Sequence, residues 1–363
     1  TDPATRRIAI VAPSLAGVLR NRALLISELR RRGARVLVVA PTNLAGEIAA
    51  LHALGAEHRN VDLKPPGMAL LSRYRLMAAL RAILTEADPD TVLVSGGTLA
   101  SIAATAARQA GNARIVTLVT GLGLGPEEER RRNARAFRRA VKLSAAVIAH
   151  TADDLATLAS EASLSGKTSA TALQGTGIDL TENTASPLPG ADGPLIFLMV
   201  ADPAERKAIS AYSAAARALA AENLPAICRL ATDREAAGDG SILTAGGIDF
   251  VGKAADPRQL LAASHVAVHL SADDGTPVAL REALAAGRSI LTLDVPGCRD
   301  AVDERVNGCV IPPDDPGALL AAMKSFITHR DLLPAEARAS RTKAEQSCGS
   351  APALAVYLSA MDL

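Results

Sequence analysis

Tryptophan is absent from the 363 residues, and four phenylalanines and three tyrosines are the only other aromatics. Proteins that hold single-stranded nucleic acid stack its bases on aromatic platforms, so this scarcity argues against a nucleic-acid partner. Only four cysteines occur, Cys228, Cys298, Cys309 and Cys348, with neither metal-ligand spacing nor the density of a disulfide framework; they read as reduced thiols. No uninterrupted apolar run reaches the roughly 18 residues that would cross a bilayer, and Thr1 to Arg7 show no signal-peptide pattern. A soluble, cytoplasmic chain is expected. Internal repeats and low-complexity tracts are also missing.

The chain is long enough for two domains with full cores. Net charge is +1, yet it is unevenly spread: residues 1–187 hold 23 Lys/Arg against 16 Asp/Glu, whereas residues 188–363 hold 16 against 22. A basic half implies an anionic partner or surface.

Along the chain, short apolar runs alternate with helical stretches. Ile8 to Ala12 reads as a strand followed by a loop around Gly17, a helix from about Asn21 to Arg32, and a strand from Val36 to Ala40. Such a βαβ unit offers its first loop to phosphate, although one glycine is no dinucleotide fingerprint. Further helices are expected over Arg73 to Ala87 and Leu99 to Gln109. The strand Ile115 to Val119 runs into Thr120-Gly121-Leu122-Gly123-Leu124-Gly125, where backbone can approach a ligand closely. Glu127 to Lys142 carries three acids in its first turn and six arginines plus Lys142 behind them. That pattern is either a solvated face or a basic amphipathic helix, Arg130 to Lys142, on an anionic membrane surface, with Phe137 and Val141 among its apolar contacts. His150 reads as a strand-end residue rather than a base. Residues 181–193 are rich in Pro, Gly, Ser and Thr and read as the linker, dividing the chain into 1–187, 188–348 and a terminal helix, 349–363, that would cross back to the first domain.

In the second half the strand His265 to Leu270 leads into SADDGTPVALREALAAGRSILTLDVPGCRD, Ser271 to Asp300. Thr276 is expected to cap a helix, Pro277 to take its first position, and Gly287 to end it. The turn Asp273-Asp274-Gly275-Thr276-Pro277 lies where a parallel α/β sheet binds anions and sugar phosphates. Asp274 and Glu282, roughly two helical turns apart, fall on the same general side.

This acid, glycine, proline and glutamate pattern resembles the donor-binding signature of the retaining family-4 glycosyltransferases. Asp294-Val295-Pro296-Gly297, Val306-Asn307-Gly308 and Ile311-Pro312-Pro313-Asp314-Asp315-Pro316 are similar to that family's C-terminal half. Leu19-Arg20-Asn21-Arg22, Val119-Thr120-Gly121-Leu122-Gly123 and Asp153-Asp154-Leu155 resemble a subgroup acting on polyprenyl-diphosphate-linked sugars of surface polysaccharides. Gly175-Thr176-Gly177-Ile178-Asp179 is similar to the family's Gly-Ser-Gly-Val-Asp at the lobe junction. The resemblance implies a GT-B fold, two Rossmann-like α/β/α domains facing across a cleft. It implies transfer of a hexose or N-acetylhexosamine from a nucleotide diphosphate, UDP in the first instance, to a lipid-linked or saccharide acceptor, without cofactor or obligatory metal.

By the same resemblance Glu282 holds the ribose, Asp274 the transferred sugar, and Gly275, Thr276 and Pro277 line the donor with Lys253. Lys207 neutralises the leaving diphosphate, Gly17 admits the phosphates, and Gly121, Gly123 and Gly177 face the cleft. Asp202 stands where the family has an arginine, Asp274 where it has glutamate, and Ala208 where it has glycine. An inactive homologue serving as partner or scaffold is therefore a second reading, and a sugar-nucleotide epimerase a third, with no proton-abstracting set apparent.

Overall fold

A computed structural model describes residues 6–42, 44–63, 70–122, 127–161, 168–173, 177–202, 205–232, 247–252, 256–271 and 277–363; for residues 70, 71, 129, 132 and 161 only the backbone is considered. The chain forms two compact units, Thr1–Thr176 joined by Ser350–Leu363, and Gly177–Gly349.

Among the described residues the first unit is built on seven parallel strands: β1 (Arg7–Val11), β2 (Arg35–Val39), β3 (Glu57–Arg59), β4 (Thr91–Ser95), β5 (Arg114–Val119), β6 (Ala146–Ala149) and β7 (Ser169–Ala172), in the order β3-β2-β1-β4-β5-β6-β7. Strand residues alternate between two cores, as a period of two requires. Ile8 and Ile10 join the layer of α1 (Leu15–Arg31) and α2 (Ala45–Ala53), while Ala9 and Val11 join that of α3 (Leu70–Ala87), α4 (Gly97–Ala110) and α5 (Glu127–Leu143). Both faces are covered, so the central strands are largely apolar, with Thr91, Ser95 and Thr117 the buried exceptions in β4 and β5. Helix α6 (Ala152–Glu161) leads to β7.

Helix α1 begins at Leu15, earlier than the expected Asn21, because Ser14 caps it: its Oγ accepts the Gly17 N–H at 3.1 Å.

Among the described residues the second unit has six parallel strands, β8 (Leu195–Val200), β9 (Ala226–Ala231), β10 (Ile248–Gly252), β11 (Val266–His269), β12 (Ser289–Leu293) and β13 (Gly308–Ile311), ordered β10-β9-β8-β11-β12-β13. Helices α7 (Arg206–Ala221) and α10 (Pro316–Thr328) cover one face. The other is covered by α8 (Pro257–Ala262), α9 (Val278–Ala285) and α11 (Leu333–Ser347).

The terminal helix α12 (Ser350–Met361) packs on the first unit, as expected, burying Ala353, Tyr357, Leu358 and Met361 beside α1. The Tyr357 hydroxyl lies 3.2 Å from His150 Nε2, and Arg114 Nε donates to the Ala360 carbonyl at 2.8 Å.

Residues 181–193, read as a linker, are fastened to the second unit by four arginines. The fully buried Arg288 donates to the carbonyls of Ser186, Pro187, Ser264 and Ala286. Arg341 reaches Asn183 O at 2.9 Å, Arg330 the carbonyls of Gly190 and Gly193, and Arg258 that of Glu182 at 3.4 Å. Pro, Gly and Ser lower the helix and strand propensity of this segment, but its carbonyls remain acceptors, and guanidinium forks satisfy them.

Candidate functional site

Parallel α/β sheets bind ligands beyond the carboxyl ends of their strands. In the second unit that edge carries Asp202 after β8, Thr232 after β9, Gly252 at the end of β10, Ser271 after β11, Asp294 after β12 and Asp314 after β13. Helix α9 starts there. Its cap is Pro277 itself, at ψ 141°, and not Thr276: the extended ψ puts Pro277 outside the helix, where its carbonyl accepts from the Leu280 and Arg281 N–H groups at 3.2 Å each. Gly287 ends α9 with φ +71°, as the sequence indicates. Asp274, Gly275, Thr276, Lys253 and Gly123 lie outside the described residues.

Glu282 sits midway along α9, half-buried, and burial raises its pKa, opposed by the positive charges of Arg281 and Arg258. Arg258 is anchored by Asp256, whose Oδ1 accepts from the Arg258 backbone N–H at 3.0 Å and from Nε at 2.9 Å. That pairing lowers the Asp256 pKa. Asp256 and Arg258 thus form with Glu282 a charged group that the sequence did not single out; the signal was the capping pair Asp256-Pro257 at the head of α8. The Thr232 hydroxyl is also unforeseen: it is buried and has no hydrogen-bond partner among the described residues. A buried hydroxyl in that condition costs free energy unless a ligand or water completes it.

Lys207 lies in the first turn of α7 and is exposed. Its Nζ is 2.5 Å from Asp314 Oδ1. Asp202 is exposed at the end of β8, and its carbonyl accepts the Glu205 N–H. Ala208 is buried against the core of this face. Gly177, which opens the second unit, has φ +73°.

In the first unit the corresponding edge gathers Ser14 and Gly17, Gly96 and Gly97, and Gly121. A Cβ on Gly17 would stand 2.8 Å from Ser14 Oγ, so glycine there preserves the cap. Gly121 has φ +74°, and the turn it makes is held by Asp154, a buried carboxylate that accepts the Leu122 N–H at 2.6 Å. His150 is buried and tied to Tyr357, which fits a strand-end packing residue.

The basic helix α5 is present, with Arg131, Arg135, Arg138, Arg139 and Lys142 exposed. Phe137 and Val141, expected at a lipid surface, are instead 2% and 1% exposed and pack with Ala134 and Ala140 into the core beneath α4. Their spacing of four residues makes a single stripe, and the domain uses it. Among the described residues no helix is long and apolar enough to cross a membrane.

Comparison with known proteins places these features. The family model described as Glycosyl transferase 4-like domain matches residues 16–165, and that described as Glycosyl transferases group 1 matches residues 194–329. A comparison with curated protein sequences returns no match. A glycosyltransferase from Rickettsia africae aligns over 99% of this chain and 98% of its own, with TM-score 0.74 and 13% identity. HepE of Anabaena, crystallised with UDP and glucose, aligns over 98% and 99% with TM-score 0.75 and 18% identity. The pneumococcal O-GlcNAc transferase GtfA, solved with UDP and GlcNAc, aligns over 98% of each chain with TM-score 0.73 and 10% identity. At such identities the likeness is one of fold, the two-sheet α/β fold of the GT-B glycosyltransferases. Each match falls on its own unit, in chain order, and the chain belongs to the glycosyltransferases that join a 4-like domain to a group 1 domain.

Proposed function

We propose that the chain moves a hexose or N-acetylhexosamine from a UDP-linked donor to a lipid-linked or saccharide acceptor, with retention, in building a surface polysaccharide. Glu282 carries the reading. It is a half-buried carboxylate on α9, in the group 1 domain and behind the strand edge where nucleotides bind, with cations beside it that keep it available as an acceptor. A carboxylate so placed accepts two ribose hydroxyls. HepE and GtfA, each solved with UDP, support that choice of nucleotide.

In this reading Asp274 orders the sugar hydroxyls beside Gly275, Thr276, Pro277 and Lys253. Lys207, with the free N–H groups of the α7 N-terminus, neutralises the diphosphate as it leaves, a charge that grows in the transition state. A side chain thereby supplies what a metal would otherwise provide. Gly17 admits the donor phosphates, and the glycine turn at Gly121 belongs to the acceptor-side domain. The exposed cations of α5 serve as an electrostatic foothold on the inner face of the membrane, where a lipid-linked acceptor resides.

The test is calorimetry of the purified chain against UDP-glucose, UDP-GlcNAc, UDP-galactose and GDP-mannose. One UDP-sugar binds, and Glu282→Ala weakens it about 10- to 100-fold, the worth of hydrogen bonds to a charged group. Absence of binding across the panel sinks the reading. A second reading, a donor-binding homologue without turnover, is favoured by Asp202 standing exposed at the end of β8, a negative charge on the strand edge where the diphosphate would lie. Binding without hydrolysis or transfer would identify it.

A further inference from the structure

Two adjacent acids follow β13, and they do different work. Asp315 caps α10, its Oδ1 accepting the Ala318 N–H at 2.9 Å. Asp314 makes no such bond; its carboxylate pairs with Lys207. Asp314 holds φ +65°, a left-handed conformation that a residue with a Cβ adopts at a cost and glycine adopts freely. Aspartate is among the residues that tolerate this conformation, so the position needs no glycine and carries instead a carboxylate that reaches Lys207. Helix α7 gives the pairing its reason. Its cap residue is Glu205, which makes no side-chain cap bond, and it opens with Arg206 and Lys207 and no acid in its first turn, so two cations against one acid stand at the positive end of the helix dipole. The pair is open to solvent, with Lys207 81% and Asp314 69% exposed, and ion pairs of that kind are weak and exchange readily.

We infer that Asp314 is a built-in competitor at the diphosphate site: its carboxylate occupies Lys207 and must be displaced when a nucleoside diphosphate enters. The inference rests on the donor reading of Lys207. It makes Asp314 a determinant of donor affinity, setting the site to accept a group carrying more negative charge than one carboxylate.

Calorimetry with UDP at low salt tests it. Asp314→Asn keeps the shape, and asparagine tolerates positive φ. It should tighten UDP by ~3-fold, the worth of an exposed ion pair, and the gain should vanish at 0.5 M NaCl as screening removes it. In a Lys207→Met background Asp314→Asn should have no effect. Asp303→Asn, which removes a like charge paired with Lys343 elsewhere on the same unit, should give no gain. UDP binding that Asp314→Asn leaves unchanged or weakens overturns the inference and spares the donor reading. An equal gain in the Lys207→Met background, or from Asp303→Asn, also overturns it. If neither the wild type nor Asp314→Asn binds UDP, GDP or ADP, the donor reading fails and the inference with it.

Discussion

Burial pushes the thiols of Cys228 and Cys309 up to about 12 and raises that of Cys348, and Cys298 is fully enclosed. Thiolate, not thiol, is the nucleophile. The folded chain should release less than one equivalent of colour from a disulfide reagent at pH 8 within minutes, and four equivalents in guanidinium; a fast native thiol would contradict this. His265 responds in the opposite sense. Burial, and then the charges of Arg330 and Arg288, lower its pKa to about 4, and its Nδ1 accepts the Ile196 N–H at 3.1 Å, which only an unprotonated nitrogen can do. Above pH 6.5 the ring is neutral in both folded and unfolded chains, so the stability is fully present. As pH falls from 6.5 toward 4 only the unfolded chain takes the proton, and the fold loses on the order of 3 kcal/mol, with no further loss from this group below that. Urea midpoints between pH 7 and pH 5 should therefore fall more steeply for the wild type than for His265→Gln.

Elements were legible in proportion to how far apolar residues mark them. Most strands of both sheets, marked by runs of Val, Ile, Leu and Ala, could be placed within a residue or two from sequence; β3, which reads Glu-His-Arg, and β13, which opens on Gly-Cys, lack such a run and could not. Helices α9, α10 and α12 could be placed as closely. Helix α11 was not seen: its buried positions are Leu333, Glu336, Ser340 and Ala344, spaced for a helix but largely polar or small, because the face packs on α9 and β12 through Ser340 Oγ donating to Arg288 O at 2.7 Å. Residues 181–193 misled for the converse reason, since composition reports propensity and says nothing of distant guanidinium donors. At the site the sequence pointed to Glu282 and Lys207, and the Asp256–Arg258 pair was legible as a helix cap but not as a neighbour of Glu282; the Asp154 bond to Leu122 and the Asp314 contact are long-range geometry that no local pattern encodes. The strap supports a prediction at this scale. Arg288→Met fills similar volume but leaves the carbonyls of Ser186, Pro187 and Ser264 without their donor, at ~3–5 kcal/mol. Limited proteolysis should then cut within 183–190, a segment resistant in the wild type; an unchanged digestion pattern would show that the other three arginines suffice.

Across the whole molecule, charge is divided where function is proposed to be divided. The N-terminal half is basic by 23 to 16, and much of the excess stands on α5; the half carrying the donor residues is acidic by 16 to 22. Since Phe137 and Val141 belong to the core, α5 has no apolar stripe left to insert, and any attraction to a bilayer through it is electrostatic. Each cation close to an anionic surface contributes about 1 kcal/mol, an effect confined to a Debye length of about 10 Å at 0.1 M salt. The chain should therefore float with phosphatidylglycerol vesicles at 50 mM salt, be released at 300 mM, and ignore phosphatidylcholine throughout. Neutralising Arg131, Arg135 and Arg138 to glutamine should abolish flotation without altering thermal unfolding, because these side chains are exposed. Phe137→Ala should do the reverse, lowering stability by about 3–5 kcal/mol through the cavity it leaves under α4 while vesicle binding of the folded fraction persists. Flotation that survives both high salt and the triple substitution would place the membrane contact elsewhere on the chain.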